Sequence, residues 1–461
     1  MSYIGIDFGT HNCTISFNNI ILEYNLPSII YIDNEDILIG NNAKDKKDNI
    51  SYFKRLLCIK DDEKHLFNFD YYKINDIIYI KTKRGDLSIT QLIGLFFSKL
   101  KEIIEQKIIN NYTCINNQVI NNYTCIITVP AYFNENQRKI IWDASKLASL
   151  PCIKLLSEPT SACLAYYDIE KRLNNKNILV FDFGAGTLDL SIVRIEDEIC
   201  EVKGTYGNNN LGGLDINHVL MKELNISFED AENKKKKVNY FRIYNKYFKN
   251  DIIFAIDEII KRSNNINIDN VILVGGSSKL LWIKKLIQKH LNKEIIEIKN
   301  DNYDYKDIAV ALGAGIHQNK NNENSLILVD RLALSIGVKT LDNTFTPIIP
   351  RNSIIPISVT KIFTSNEKPI IIDIYQGESY FIEDNIHIKS FEIYNIKSEN
   401  PVIYITIKVN INSIIDIIVK ERFNDIETKI EINNLKELIS NEQINDILNN
   451  IDFYHKKNLN L

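Results

Sequence analysis

Two short segments carry the residues best suited to chemistry: Ile4-Gly-Ile-Asp-Phe-Gly-Thr10 and Leu179-Val-Phe-Asp-Phe-Gly-Ala-Gly-Thr-Leu-Asp189. Each is an apolar run ending in Asp-Phe-Gly, then a threonine, then a second apolar run, Cys13 to Phe17 or Leu188 to Val193. The pattern predicts two β-hairpins with glycine tips. Glycine has no Cβ, so backbone N–H groups at such a tip can approach a phosphate closely. A neighbouring carboxylate can hold Mg²⁺ through its waters, and a threonine hydroxyl can donate to a phosphoryl oxygen. One loop of this kind is more often an ordinary turn. Two in register predict an internally duplicated fold in which Asp7 with Thr10, and Asp182 with Thr187, face each other across a cleft and clamp a triphosphate. No G-x-x-x-x-G-K-[ST] sequence is present, which excludes a P-loop enzyme.

The elements that must position these loops can be read around them. A third glycine tip, Val271-Ile-Leu-Val-Gly-Gly-Ser-Ser-Lys279, follows a strand and opens a helical stretch suited to backbone contact with a nucleotide. Ile126 to Phe133 reads as strand and turn, and Asn134-x-x-Gln137 as a capping box starting a helix with Ile141, Ala144 and Ala148 on its apolar face. Ser157-Glu158-Pro159-Thr160 places a carboxylate at a strand–helix junction, a position where an acid is commonly no more than a helix-start charge. After the polar break Asn319 to Asn324, strand-like runs extend to about Ile432. Alternation at Ile370, Ile372 and Ile374, in Tyr404 to Val409 and in Ile414 to Val419 predicts a compact antiparallel β-domain. Ser440-x-x-Gln443, with Ile444, Ile447, Leu448 and Ile451 on one stripe, predicts a final helix.

With 461 residues, the length prior is about three domains. Lys+Arg 55 against Asp+Glu 59 is ordinary for a globular chain and argues against a nucleic-acid binder. The cysteines form no C-x-x-C pair, which suits a reducing compartment. With no basic leader and no run of 18 apolar residues, a cytoplasmic protein without a membrane span is expected.

The motifs IGIDFGTHN, FKRL, ITVPAYFNENQR, SEPTSACLAYY, FDFGAGTLD, GNNNLGGLDIN, VILVGGSSK and IAVALGAG occur in the order found in the heat-shock 70-kDa chaperone family, and the chain resembles that family over nearly its whole length. The resemblance implies an α/β duplicated actin-like ATPase domain followed by an antiparallel β-sandwich that holds peptide, then a short helical stub. The implied boundaries are 1–322 for the nucleotide-binding domain, with a reduced outer subdomain near 218–270, then 323–330 for the interdomain linker, 331–433 for the β-domain and 434–461 for a truncated lid. ATP and Mg²⁺ are the implied ligands. By resemblance, Asp7 and Asp182 are Mg-water carboxylates, Thr10 and Thr187 phosphate-contacting hydroxyls, Lys54 the catalytic lysine, and Glu158 the group that orients the attacking water. Gly9, His11, Asn12, Gly184, Ala185, Gly186, Gly212, Gly213 and Gly275 fall on nucleotide-holding loops, and Gly276, Ser277, Lys279 and Asp307 on the adenosine side. Pro130 and Arg138 match the pair that relays nucleotide state, and Leu326, Ile327, Leu328 and Asp330 the apolar linker. Val338, Leu341, Phe363, Ile370, Ile372 and Ile374 match positions that line or abut the peptide groove, where backbone hydrogen bonds supply affinity and one pocket selects an aliphatic side chain.

Several positions depart from the family pattern. His11 replaces a threonine, Ala185 a glycine, Leu214 an acidic residue and Lys279 an arginine. The adenosine-gripping helix has no evident counterpart, Glu232 being a remnant, and Lys234 to Lys237 reads as a solvated loop. The wording IIPRNSIIPISVTKIFT and SLILVD is closest to the HscA branch, which serves iron–sulfur cluster assembly. That branch implies an HscB-like J-type co-chaperone, docking near Lys154 and Asp330, and a client peptide from the scaffold IscU. Two readings stand beside the ATP-driven chaperone: a relative that binds peptide or partner without productive turnover, and a sugar-kinase-like phosphotransferase on the same duplicated fold.

Overall fold

In the computed structural model, residues 2–59, 67–74, 77–116, 123–236, 240–316, 327–365, 369–393, 401–422 and 427–431 are described. Leu326 and the whole of the expected lid therefore lie outside the described residues.

The central strands of both lobes are runs of Ile, Val, Leu and Phe rather than alternating sequences, because both faces of each sheet are covered. In the first lobe the strand order is Cys152–Ser157, Tyr123–Val129, Ser2–Phe8, Asn12–Phe17, Ile20–Pro27. The first three run parallel and the last two return as antiparallel hairpin strands. In the second lobe the order is Glu294–Ile296, Asn270–Val274, Lys176–Phe183, Leu188–Glu196, Ile199–Asn208, with the same sequence of parallel and antiparallel pairings. The duplication expected from two similar loops is thus a duplication of connectivity. Asp7 and Asp182 are the penultimate residues of the two equivalent central strands.

Two helices join the halves. Helix Glu158–Ile169 packs on the second sheet, helix Tyr305–Ile316 on the first, and the two pack on each other. Small residues let the backbones touch: a Cβ on Gly313 would lie 1.7 Å from the Ser161 carbonyl oxygen, and one on Gly5 2.1 Å from that of Ala311. Ser16 and Ser161 hydroxyls donate to the carbonyls of Ala311 and Val310, both at 2.6 Å. The predicted capping box is formed, with Asn134 and Gln137 bonding each other's backbone N–H at the start of helix Glu135–Leu147.

The outer part of the second lobe corrects the sequence reading. Helices Gly213–Leu224, Phe228–Lys235, Phe241–Tyr247 and Lys249–Arg262 share the core of the second sheet through Ile216, Ala231, Tyr244 and Ile256. Lys234 and Lys235 are not a solvated loop but the last turn of helix Phe228–Lys235, whose first turn carries Glu229 and Asp230 and whose N-cap is the Ser227 hydroxyl. Acid at the start and base at the end suit the helix dipole, so a lysine run ends a helix here. Lys237 lies outside the described residues.

The β-domain consists of two four-stranded antiparallel sheets, one ordered Thr344–Ile349, Ile336–Thr340, Ile370–Gln376, Ile386–Ile393 and the other Ile357–Thr364, Val402–Val409, Ile415–Glu421, Glu427–Glu431. Their inner faces share one apolar core. Ile327–Arg331 is itself a strand, parallel to Ile199–Asn208 and antiparallel to Ile354–Ile355, so the linker extends the second lobe's sheet to seven strands. Glu135 N–H donates to Gln376 Oε1 at 3.0 Å, and Leu155 N–H to Asn412 Oδ1 at 3.1 Å, which docks the β-domain against the first lobe.

Candidate functional site

The two Asp-Phe-Gly hairpins and the third glycine tip enclose a cavity of about 430 Å³ between the lobes. On its wall lie Asp7, Gly9, Thr10, His11, Asn12, Lys54, Glu158, Asp182, the loop Gly184 to Thr187, Gly275, Gly276, Ser277, Lys279 and Asp307. Gly212 and Gly213 stand one layer behind. Gly213 N–H donates to the Gly184 carbonyl at 3.0 Å, and a Cβ on Gly212 would lie 2.4 Å from the Ala185 carbonyl oxygen. Gly275 has φ +81°, and a Cβ there would come 2.6 Å from Asp182 Oδ1, so only glycine fits. Ala185 is not among the residues with positive φ, and its Cβ is accommodated without backbone strain.

Lys54 is held in the 3₁₀ turn Phe53–Cys58, which follows Tyr52 in the left-handed region. Its ammonium donates to Glu158 Oε1 at 2.9 Å and to the Phe8 carbonyl at 2.5 Å, between the rings of Phe8 and Phe133. Burial pulls this ammonium down, but Glu158 and Asp7 hold it above its usual range, so it remains charged. Glu158 opens its helix, where the dipole favours a carboxylate.

The acids around Lys54 outnumber it. Burial raises Asp7 to about 8, with Glu158 and Asp307 adding repulsion that Lys54 only partly offsets. Burial and then Glu158, Asp189 and Asp7 push Asp182 well above the carboxylate range. Asp189, which accepts from Tyr132 N–H at 3.0 Å, is raised to about 7 by burial and Glu158. An all-oxygen site with surplus negative charge fits a hard cation such as Mg²⁺. Among the described residues no three acid, His or Cys groups converge to ligate a metal by themselves. Asp7 and Asp182 would therefore hold Mg²⁺ through its waters, beside phosphate oxygens supplied by the ligand.

On the side expected to hold adenosine, Lys279 pairs with Asp307 at 2.5 Å and Asp304 at 3.1 Å, and Tyr24 hydroxyl donates to Asp307 at 2.8 Å. Glu232, read from the sequence as a remnant, and Lys235 and Lys236, read there as a solvated loop, line the cavity from helix Phe228–Lys235 and the residue after it. Glu232 accepts from Asn217 at 2.8 Å and from Lys235 at 2.5 Å. The Ala-Glu-Asn-Lys spacing, which puts Glu232 and Lys235 on one helical face, was the available signal. His11 stacks on Tyr52 with ring centres 5.6 Å apart, and Tyr52 meets Phe228 of the other lobe at 5.9 Å.

The residues expected to couple the domains lie between the cavity and the linker strand. Pro130 ends strand Tyr123–Val129. Arg138 is buried and donates to the carbonyls of Phe133 and Ala131 at 3.2 and 3.3 Å. Burial lowers its pKa, while Asp330 of strand Ile327–Arg331 and Asp189 of strand Leu188–Glu196 hold it up. Ile327, Leu328 and Asp330 lie in that strand, paired with Ile199, Cys200 and Ile355. Burial lowers Lys154 against the attraction of Asp330, so these two, expected as co-chaperone positions, are electrostatic neighbours.

Of the positions expected to line or abut a peptide groove, Val338, Ile370, Ile372 and Ile374 have exposures of 2, 4, 6 and 0% and form part of the sandwich core. Alternation marks the buried face of a strand, and here that face meets the other sheet. Phe363 is half-buried and packs on the edge of that core. Leu341 is 86% exposed, and the adjoining loop presents Tyr380 and Phe381, whose backbone pairs with Phe345 and Thr344.

The Hsp70 protein family profile matches residues 3–250 and 246–460. The chain belongs to the Hsp70 family. Similar proteins include a heat shock protein 70 homolog of Acanthamoeba polyphaga mimivirus, 28% identical over 92% of this chain and 54% of that protein. The chaperone protein HscA of Buchnera aphidicola is 30% identical over 92% of this chain and 78% of its own length. An HscA homolog of Rickettsia prowazekii is also 30% identical, over 92% and 76%. The chain thus spans about half of the viral relative and about three quarters of the bacterial ones. Members of this family are chaperones with an ATPase domain, and among the described residues no helix is long and apolar enough to cross a membrane.

Proposed function

We propose that this Hsp70-family chain is an ATP-dependent chaperone in which slow hydrolysis in the cleft controls binding and release of an extended peptide by the β-domain. The observation that carries this reading is the buried Lys54–Glu158 pair, set between two equivalent glycine loops beside buried acids whose charge Lys54 only partly offsets. Glu158 would orient and deprotonate the attacking water, Lys54 would meet the γ-phosphate charge, and Thr10 and Thr187 would bond phosphoryl oxygens. When bound, Mg²⁺ neutralises phosphate charge as it develops. The Lys54 ammonium is held by Glu158 and the Phe8 carbonyl, so it is positioned before the nucleotide arrives and little reorganisation accompanies cleavage.

Leu341, Tyr380 and Phe381, exposed on adjacent loop tips, support an aliphatic or aromatic peptide contact there. The HscA relatives favour a role in iron–sulfur cluster assembly, with an HscB-like J-type partner and a peptide of the IscU scaffold as client. A cytoplasmic location goes with that reading. Single-turnover ATP cleavage tests it. Lys54→Ala and Glu158→Ala should each slow cleavage by on the order of 10² to 10³. Variants as fast as the parent would overturn the assignment, and a parent that binds ATP without cleaving it would favour a peptide binder without turnover.

A further inference from the structure

Arg55, the residue after Lys54, is the largest fully buried side chain among the described residues. Its backbone belongs to the first lobe, in the turn Phe53–Cys58, but its guanidinium crosses to the second. Nη1 donates to the carbonyls of Gly186 and, at 2.9 Å, Asn209, and Nη2 pairs with Asp215 Oδ1 at 3.0 Å. Gly186 is the last glycine of the second phosphate loop. Asp215 in turn accepts from Gly212 N–H at 2.7 Å, and Gly212 stands directly behind Ala185 of that loop. The two loops are already close, since a Cβ on Gly186 would lie 2.6 Å from Thr10 Oγ1. A guanidinium is the group for this task because its fork serves several acceptors in one plane, whereas an ammonium is a point donor on a flexible stem. Burying a charge is costly unless it is paired and hydrogen-bonded, so Arg55 stays dry most readily while the second lobe's carbonyls and Asp215 hold its two Nη groups.

We propose that Arg55 is a positioning residue for ATP cleavage: it locks the turn that carries Lys54 to the second phosphate loop in the closed cleft, so that closure sets the distance from Lys54 to the phosphate. In an open cleft the guanidinium is hydrated and Lys54 is carried away with it. This inference rests on the ATPase reading above, and its test separates the two.

Cleavage in a single turnover and ATP affinity are measured for the parent, Arg55→Lys, Arg55→Ala and Asp215→Asn. Arg55→Lys keeps the charge but not the fork, and should slow cleavage at saturating ATP on the order of 100-fold while ATP affinity changes only a few-fold. Asp215→Asn should slow it in the same sense from the opposite lobe, which keeps the inference testable if Arg55→Ala does not fold. Millimolar guanidinium, but not ammonium, should restore part of the Arg55→Ala rate. Parent-like cleavage by Arg55→Lys and Asp215→Asn overturns the proposal while leaving the ATPase reading in place. Slowing in strict proportion to lost ATP affinity, with no guanidinium rescue, also overturns it, because a merely structural role predicts that pattern. A parent that does not cleave ATP sinks the ATPase reading and this one together.

Discussion

At the scale of residues, buried carboxylates crowd around the Lys54 ammonium. Asp7 and Asp189 are raised to about 8 and about 7, and Asp182 is likewise held well above the carboxylate range, against ordinary values near 4 in an unfolded chain. For such acids the folded state binds more protons, so their contribution to stability is full below the unfolded value and is lost as pH rises towards about 8. The melting temperature of the ligand-free protein should therefore fall between pH 6 and 8.5. Mg²⁺ with nucleotide should flatten that slope, and Asp7→Asn should remove part of it. A slope unchanged by either would mean that these acids do not share one cation site. Asp7, Thr10, Asp182 and Thr187 were legible because they lie in short local patterns, whereas Lys54 and Glu158 took their roles only from the family resemblance. Arg55 was not legible, since its partners Gly186 and Asp215 are far along the chain and no spacing announces them. Asp189 was missed for another reason: it lies inside a quoted motif but on the strand after the loop, within the stretch read as the second apolar run.

At the scale of elements, the helix Phe228–Lys235 and the strand Ile370–Gln376 show what periodicity can and cannot decide. Alternating isoleucines announced a strand with one apolar face, but that pattern is the same for a face lining a groove and a face packed on a second sheet. Ile372 lies in the core, so Ile372→Ala should cost about 2–5 kcal/mol by denaturant titration. Leu341, on an exposed loop, should change stability by less than about 0.5 kcal/mol when replaced by alanine, yet weaken peptide binding. The reverse outcome would place the peptide contact at the isoleucines rather than at Leu341. Docking is likewise a matter of elements. The Glu135 and Leu155 N–H groups each have a β-domain side chain as acceptor, Gln376 and Asn412. Gln376→Ala with Asn412→Ala should loosen the interface by about 1–3 kcal/mol per donor left unmet. The expected signature is faster amide exchange at Glu135 and Leu155 with little change in Lys176–Phe183. Equal exchange in both places would show that these bonds do not hold the domains together.

For the whole molecule, strand Ile327–Arg331 is the element that pairs with both the second lobe and the β-domain. The crossed helices Glu158–Ile169 and Tyr305–Ile316 each pack on the opposite lobe's sheet, so rotation of one lobe against the other must move both. Strand Ile327–Arg331 adds to the second lobe's sheet while Arg331 bonds Glu201 at 2.6 Å, and the β-domain touches the first lobe. The β-domain therefore contacts both lobes, and a change in the cleft alters what it rests on. Duplicated loops and an apolar linker announced this plan in the sequence; the docked arrangement did not, because it depends on contacts between distant segments. The most direct test is the affinity of the full chain for a short aliphatic peptide in Mg²⁺·ATP and in Mg²⁺·ADP, measured by fluorescence anisotropy with the cleavage-slow Lys54→Ala variant as a second sample. Coupling of the usual size predicts binding about 5- to 150-fold weaker with ATP than with ADP. Equal affinity in the two nucleotides, with both shown to be bound, would contradict the account.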